Sequence, residues 1–458
     1  MLTRREMLHT IGAGFGLLAA SDLLASEKPG NPLAPRAPHF APTAKHVIYL
    51  FLNGGPSQVD TFDPKPLLTQ YHGMPMPTAA LRTERKTGNL LGSPFEFRKF
   101  GASGIEISDI FSRVGEHIDD ICVIRSMYTD LPNHEPSLFM FNCGDRLPGR
   151  PSMGAWLTYG LGSENQNLPG FVVLCPGLPI VGPQLWASGF LPGIYQGTLI
   201  PSNERDIDKL LPNIRNSRVP EGDRRRQLDL LSRLNQVHDR SAGHDDTFEA
   251  SIQSAELAFR MQKEAPEVFD VTKEDEKARG RYGDTDFGRG CLMARRLVER
   301  GVRMVQVYFG DGQPWDNHDD ILIHRRLAAS ADRAIAALFE DLKATGLLQE
   351  TIVLIGGEFG RTPTVEVSGL VNVQNGRDHN HHGFSVLVAG GGFKGGITYG
   401  ATDDFGFKAV DRPVHPHDLH ATILHCLGLD HTKLTYRYSG RDIRLTDVSG
   451  RVIKDLLA

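Results

Sequence analysis

Val302-Arg-Met-Val-Gln-Val-Tyr-Phe309, a run of helical character from Ile323 to Leu348, and Thr351-Ile-Val-Leu-Ile-Gly356 follow one another in this chain. The two outer segments are continuous apolar runs, which is how a strand buried on both faces reads. In the run between them Leu327, Ala331, Ile335, Leu338 and Leu342 share one helical face, and Gly346 stands near the end, where a helix needs a left-handed residue. The same rhythm holds upstream. Phe287, Cys291, Leu292, Leu297 and Val298 fall at helical spacing between Asp284 and Arg300, and Gly301 closes that run just before Val302. Further out, His46-Val-Ile-Tyr-Leu-Phe-Leu52 stops at Asn53-Gly54-Gly55-Pro56, a sharp turn at a strand's carboxyl end. Ile121 to Ile124 and Gly170 to Leu174 are two further short strands. Strands alternating with helices predict an α/β fold whose central, mostly parallel sheet is flanked by helices.

Two stretches break the alternation. Residues 201–271 are charged, helical in pattern (Arg224 to Val237, Thr247 to Gln262) and without a strand, which predicts a helical insertion. Met74 to Phe100 is rich in Pro, Gly, Thr and basic residues and suits a surface excursion. At the N-terminus, Thr3-Arg4-Arg5-Glu6-Met7-Leu8 is a twin-arginine pattern, and Ile11 to Ala25 is an apolar stretch too short and too weak to span a bilayer. It reads as an export signal over residues 1–26 followed by a Pro-rich linker at 27–44, with the folded domain over 45–458. The expected partner at that end is the twin-arginine export machinery, and the expected location is periplasmic or extracellular. The 458 residues are 40% hydrophobic and 23% charged, as in an ordinary globular protein. A net charge of −5 gives no reason to propose nucleic acid or an anionic membrane as a partner. No later segment has the length and apolarity of a membrane span. The five cysteines, Cys122, Cys143, Cys175, Cys291 and Cys426, lack the short paired spacings of a zinc knuckle or a disulfide scaffold.

The chemistry is concentrated in the second half: Asp316-Asn-His318, Glu358-Phe-Gly-Arg361 and Arg377-Asp378-His379-Asn-His381-His382. The first two follow strands, and ligands of an open parallel sheet bind outside the strands' carboxyl ends. Oxygen and nitrogen donors returned to one place by successive strands suit a hydrolytic metal centre. The plain alternative is a set of polar loops with surface histidines.

These segments, with the first strand and its turn, Asn133-His134-Glu135-Pro136-Ser137, Trp315-Asp-Asn-His318, Gly357-Glu-Phe-Gly-Arg-Thr-Pro363 and Gly376-Arg-Asp-His379, resemble the exported, sulfatase-like family called domain of unknown function 1501 (DUF1501), a branch of the alkaline phosphatase superfamily. The resemblance runs from about Lys45 to the C-terminus. It implies an alkaline-phosphatase-like fold and a divalent metal, whether zinc, calcium or manganese. The superfamily's first metal-ligand Asp corresponds to Asn53, with Asp60 as the alternative ligand. Ser57 is a helix cap or a nucleophile. The cysteine that sulfatases convert to formylglycine corresponds to His134, so a conventional formylglycine sulfatase is disfavoured. His134 is open as a metal ligand, a nucleophile, an acid or a structural residue. Asp316 and His318 match one ligand pair. Glu358 matches the next acid, with Phe359 in place of its histidine, and Asp378 with His379 or His381 supplies the later imidazole. Arg361 and Arg377 are donors to a sulfate or phosphate oxyanion or ion-pair partners of the adjacent acids. His417 and Asp418 begin a structural helix, in which Asp418 caps. The implied activity is metal-dependent hydrolysis of sulfate or phosphate esters on a small-molecule or glycan substrate. The runner-up is a non-catalytic metal- or ligand-binding protein.

Overall fold

Apolar runs that end in glycine turns build the sheet in this computed structural model, which describes residues 31–458 apart from 79–80, 213–220, 243–245 and 368–374. The twin-arginine signal and the start of the linker lie outside the described residues. In chain order the strands used below are β1 His46–Phe51, β2 Thr87–Leu90, β3 Ile121–Met127, β4 Phe171–Cys175, β5 Thr198–Pro201, β6 Met304–Tyr308, β7 Thr351–Gly356, β8 Gly360–Glu366, β9 Arg377–Asn380, β10 Phe384–Ala389 and β11 Ile397–Tyr399. The helices are α1 His134–Cys143, α2 Glu221–Ala242, α3 Asp246–Phe269, α4 Asp286–Val298, α5 Ile323–Ala344 and α6 Pro416–Cys426.

Eight strands form the main sheet in the order β11-β3-β10-β7-β1-β6-β4-β5. β1 is central and pairs in parallel with β6 (Val47 beside Met304) and with β7 (Val47 beside Ile352). Every residue of β1, β4, β6 and β7 is buried, as their unbroken apolar sequences require when helices cover both faces. Each buried Val, Leu or Ile side chain contributes about 1.5–3 kcal/mol. β10 alone runs against the others, antiparallel to both β3 and β7. That reversal matters for the site. The residues leading into β10 lie at the edge where β1, β6 and β7 end, so a cluster that precedes its strand joins clusters that follow theirs.

α4 and α5 pack against each other beside the sheet, and Gly301 (φ +82°) and Gly346 (φ +75°) turn the chain out of their ends. α2 and α3 occupy the charged stretch after β5. A second sheet of three strands, in the order β9-β8-β2, stands beside the main one. β2 comes from the region 74–100, so that region is more than the surface excursion its composition suggested. The five cysteines are free and buried. Among the described residues no helix is long and apolar enough to cross a membrane.

Candidate metal centre

The loop after β6 reaches the site because β1 makes room for it. Asn53, two residues past β1, has a fully buried amide whose Nδ2 donates to the carbonyls of Gly310 (3.0 Å) and Gly312 (2.5 Å), while its Oδ1 accepts from Phe309 N–H (3.2 Å). Gly54 follows at φ +112°, and a Cβ there would lie 2.5 Å from the Asp316 backbone nitrogen. Only glycine permits that approach. Gly376 does the same before β9, where a Cβ would collide with the His318 carbonyl. Two glycines thus seat the loop that carries Asp316 and His318.

Four side chains converge on one point. Asp316 Oδ1 lies 2.8 Å from His318 Nε2, 3.2 Å from His134 Nε2 and 3.2 Å from His379 Nε2. One donor atom from each of these four residues falls within 4.8 Å of the others. His134 opens α1, His379 comes from β9, and the other two come from the loop after β6. On its far side each imidazole is held through Nδ1 by a glutamate: His134 by Glu358 (2.7 Å), His318 by Glu366, and His379 by Glu84, with Pro132 O also 3.0 Å from His379 Nδ1. A carboxylate accepts and does not donate, so Nδ1 carries the ring proton and Nε2 turns a lone pair inward. His134 Nε2 is buried and makes no hydrogen bond, although Asp316 is close. A buried acceptor aimed into a ring of other acceptors is a group that a cation would satisfy. The donor set therefore fits a metal ion, and the glutamates supply the outer contacts that orient metal-binding histidines.

The electrostatics are those of a ring of acceptors competing for positive charge. Burial acts to raise the Asp316 carboxyl, but the three imidazoles and Arg361 overcome it and hold the group far below the usual carboxylate range. Burial opposes charge on His134, yet its contacts with Asp316 and Glu358 outweigh it and raise the ring above its ordinary value. His379 is pushed down to about 3, chiefly by burial. Phe359 packs its ring against His134 and His379, with centroids 4.7 and 4.5 Å apart, and closes one side of the centre to water.

Other residues singled out by sequence stand outside this cluster. Asn53 has both ends of its amide engaged by the loop it braces. Asp60 is fully buried in a bidentate pair with Arg377 (2.7 and 3.0 Å), and Ser57 Oγ donates to Asp60 Oδ2 at 2.5 Å. Ser57 occupies the capping position of a short 3-10 turn, but its hydroxyl is spent on Asp60 rather than on a backbone N–H. Glu358 braces His134 and accepts from Gly54 N–H at 3.0 Å, so that N–H is not free for an oxyanion. Arg361 and Arg377 are wholly buried, their guanidinium nitrogens engaged with backbone carbonyls and with Asp316 or Asp60. Of the two roles open to them, the structure places them in the ion pairs. Asp378 accepts from the backbone of Arg85 (2.6 Å) and His379 (2.8 Å), and it also offers a carboxylate oxygen within 4.8 Å of donor atoms of His379 and Glu84 and of His318 and Glu366. The His381 ring lies against His382 and is not among the grouped donors. His415 and Asp418 form a capping box at the start of α6, and His417 Nε2 bonds the Gly144 carbonyl (2.8 Å). Glu84 and Glu366 were invisible to sequence reading. Neither belongs to a motif: Glu366 ends β8 beside β9, and Glu84 stands just ahead of β2, which pairs with β8.

The family model described as "Protein of unknown function (DUF1501)" matches residues 44–457. Among solved structures the chain is similar to a sulfatase from Pseudoalteromonas sp. (12% identity, covering 84% of this chain and 68% of that one, TM-score 0.35). It is also similar to a phosphonate monoester hydrolase from Silicibacter pomeroyi (11%, 76% and 71%, TM-score 0.35) and to a mutant of TAB5 alkaline phosphatase with magnesium bound (11%, 85% and 99%, TM-score 0.37). At these scores the likenesses are distant, and no residue's role transfers through them. No curated protein matches the chain.

Proposed function

The chain belongs to the DUF1501 family, whose function is unknown, so its activity has to be read from the site, and we propose that it is an exported, metal-dependent hydrolase of sulfate or phosphate esters. The observation that carries this reading is the ring of three imidazole Nε2 atoms around Asp316 Oδ1, each imidazole braced through Nδ1 by a glutamate. His134, Asp316, His318 and His379 would hold the ion. Three nitrogens and one carboxylate favour zinc or a similar first-row metal over calcium, which prefers oxygen donors. When bound, such an ion supplies Lewis acidity toward an ester oxygen or a water molecule.

The chain's own residues set the conditions for that chemistry. Glu358, Glu366 and Glu84 fix which nitrogen of each ring is protonated. Arg361, 2.6 Å from Asp316, keeps that carboxylate charged and pinned to the Gly54-Gly55 turn. Phe359 keeps water off one face of the rings, which strengthens electrostatic interactions inside the centre. Export rests on Arg4 and Arg5.

A second reading, a metal-binding protein without catalysis, is favoured by one observation: Ser57, Arg361 and Arg377 are all committed to internal bonds. Turnover separates the two. Purified protein loaded with zinc, manganese or calcium is assayed on aryl sulfates and aryl phosphates, with metal content measured on the same samples. Stoichiometric metal with turnover abolished in D316A and H318A supports the hydrolase. Stoichiometric metal with no turnover on either ester class leaves the binding protein, and absence of metal under all loadings defeats both.

A further inference from the structure

Two consecutive residues of the segment before β2 reach the centre from outside. Glu84 Oε2 contacts His379 Nδ1. Arg85 is tied twice: its N–H donates to Asp378 Oδ2 at 2.6 Å, and its guanidinium pairs at 3.0 Å with Glu366, the residue that holds His318. Of the three glutamate braces, then, one belongs to this segment and a second is buttressed by it. The braces differ in how they are held. The side chains of Glu358 and Glu366 are 0% and 1% exposed, fixed by the surrounding core, whereas those of Glu84 and Arg85 are 30% and 49% exposed. Strand pairing does not force Glu84 inward either, because the backbone bonding to this strand stops at Lys86, whose carbonyl accepts from Val367 N–H at 2.8 Å. Arg85 is half-exposed, so solvent screens its pair with the buried Glu366. What makes this arrangement consequential is where it ends, on two rings of the candidate ligand set.

We infer that residues 82–86 form a metal-coupled clamp, in which Glu84 and Arg85 are positioning residues that hold His379 and His318 in the orientation a divalent cation needs. The inference rests on the metal reading given above and adds an outer element that opens and closes with metal. An imidazole tethered at Nδ1 presents Nε2 in one direction, while an untethered ring has to be ordered when the ion arrives. Loss of such an outer partner typically lowers metal affinity roughly 10- to 100-fold. Coupling between two sites is reciprocal, so if the segment favours the metal, the metal must favour the closed segment.

The test uses the full chain and zinc as the probe. Zinc affinity is measured against a chelating competitor for the wild type, E84A, E84Q, R85A and H318A, and hydrogen exchange at the amides of residues 82–86 is followed with and without zinc. The expected result is a loss of roughly 10- to 100-fold in affinity for E84A, a smaller loss for R85A, most of the affinity retained in E84Q, which keeps an acceptor, and none left in H318A. Zinc should slow exchange at the Arg85 amide in the wild type and not in E84A. If the metal-free form of E84A unfolds more easily than wild type, E84Q against R85A carries the comparison. Wild-type affinity in E84A, or exchange across 82–86 indifferent to zinc, overturns the clamp while leaving the metal site intact. A wild-type protein that binds no zinc overturns the metal reading and the clamp with it.

Discussion

Arg361→Gln asks whether this guanidinium is a strut or a group that meets substrate. Arg361 is fully buried, with Nε 2.9 Å from Gly55 O, Nη1 3.4 Å from Arg377 O, and Nη2 bonded to Gly54 O and, at 2.6 Å, to Asp316 Oδ1. A glutamine is shorter and neutral. It leaves the Asp316 carboxylate without its buried cation and at least one carbonyl of the glycine turn without a donor. Removing one partner of a buried ion pair costs about 3–5 kcal/mol, and a hydrogen bond to a charged group is worth about 1.5–3 kcal/mol, a cost already contained within that loss because the groups are shared. The expected loss of unfolding free energy is therefore about 3–5 kcal/mol, read from urea unfolding of metal-free protein by tryptophan fluorescence, to which the buried Trp315 beside Asp316 contributes. The control is Arg437→Gln, whose partner Asp442 is exposed and whose effect should stay within about 0.5 kcal/mol. A change below about 1 kcal/mol in R361Q, joined to weakened sulfate or phosphate binding, would refute the reasoning and return Arg361 to the substrate site.

Gly54→Ala should shift the loop bearing Asp316, because a Cβ at φ +112° would stand 2.5 Å from the Asp316 nitrogen. Zinc titration should show a loss of affinity alongside a stability loss of about 1–3 kcal/mol, and unchanged affinity would mean the close approach is dispensable. His324 and His420 are fully buried and pushed down by burial to about 3. Their unfolded value is near 6.5, so the unfolded chain takes up protons that the folded chain refuses. Their contribution to stability is complete above about pH 6.5 and is lost as pH falls toward about 3, by up to about 1.4 kcal/mol per pH unit for each. Urea midpoints at pH 7 and pH 5 should differ less in H420Q than in wild type, and an equal difference would exclude His420. For export, R4K with R5K should leave precursor inside the cell, detected by fractionation, whereas normal export of the double variant would remove the twin-arginine reading.

What was legible in the sequence was whatever local pattern controls. The strands at Val47, Val302 and Ile352 announce themselves as apolar runs closed by glycine, and Asp316 with His318 are found because they directly follow one of those runs. What long-range geometry controls was not legible. Nothing in Phe384-Ser-Val-Leu-Val-Ala389 says that this strand runs backwards, since an apolar run has no direction. Arg361 and Arg377 have the chemistry of anion donors, and only their burial shows that backbone carbonyls and carboxylates have already claimed it. His379 and His381 share a short histidine-rich run, but alternate residues of a strand need not reach the same neighbours once the strand ends. His379 lies within β9 and pairs with Arg361, whereas His381 lies just beyond it. Glu84 comes from a region whose composition reads as surface, and it stands just ahead of a strand whose partner no local pattern names.

The reversed strand β10 has a consequence for the order in which this protein assembles. Because β10 starts at the edge where β7 ends and runs back beside it without a crossover helix, β7, β8, β9 and β10 can form through short connections. The other half of the centre arrives from far along the chain: His318 is 61 residues from His379, and His134 is 224 residues from Glu358. Closing loops of that length carries an entropic cost before their contacts repay it. Contacts across the centre therefore belong to the end of folding, when β3 is seated beside β10 and α1 brings His134 to the edge. Interactions that form after the rate-limiting step do little to speed folding and much to slow unfolding. A cation held there would act as a late-set staple, measurable as a longer native-state lifetime rather than a faster fold.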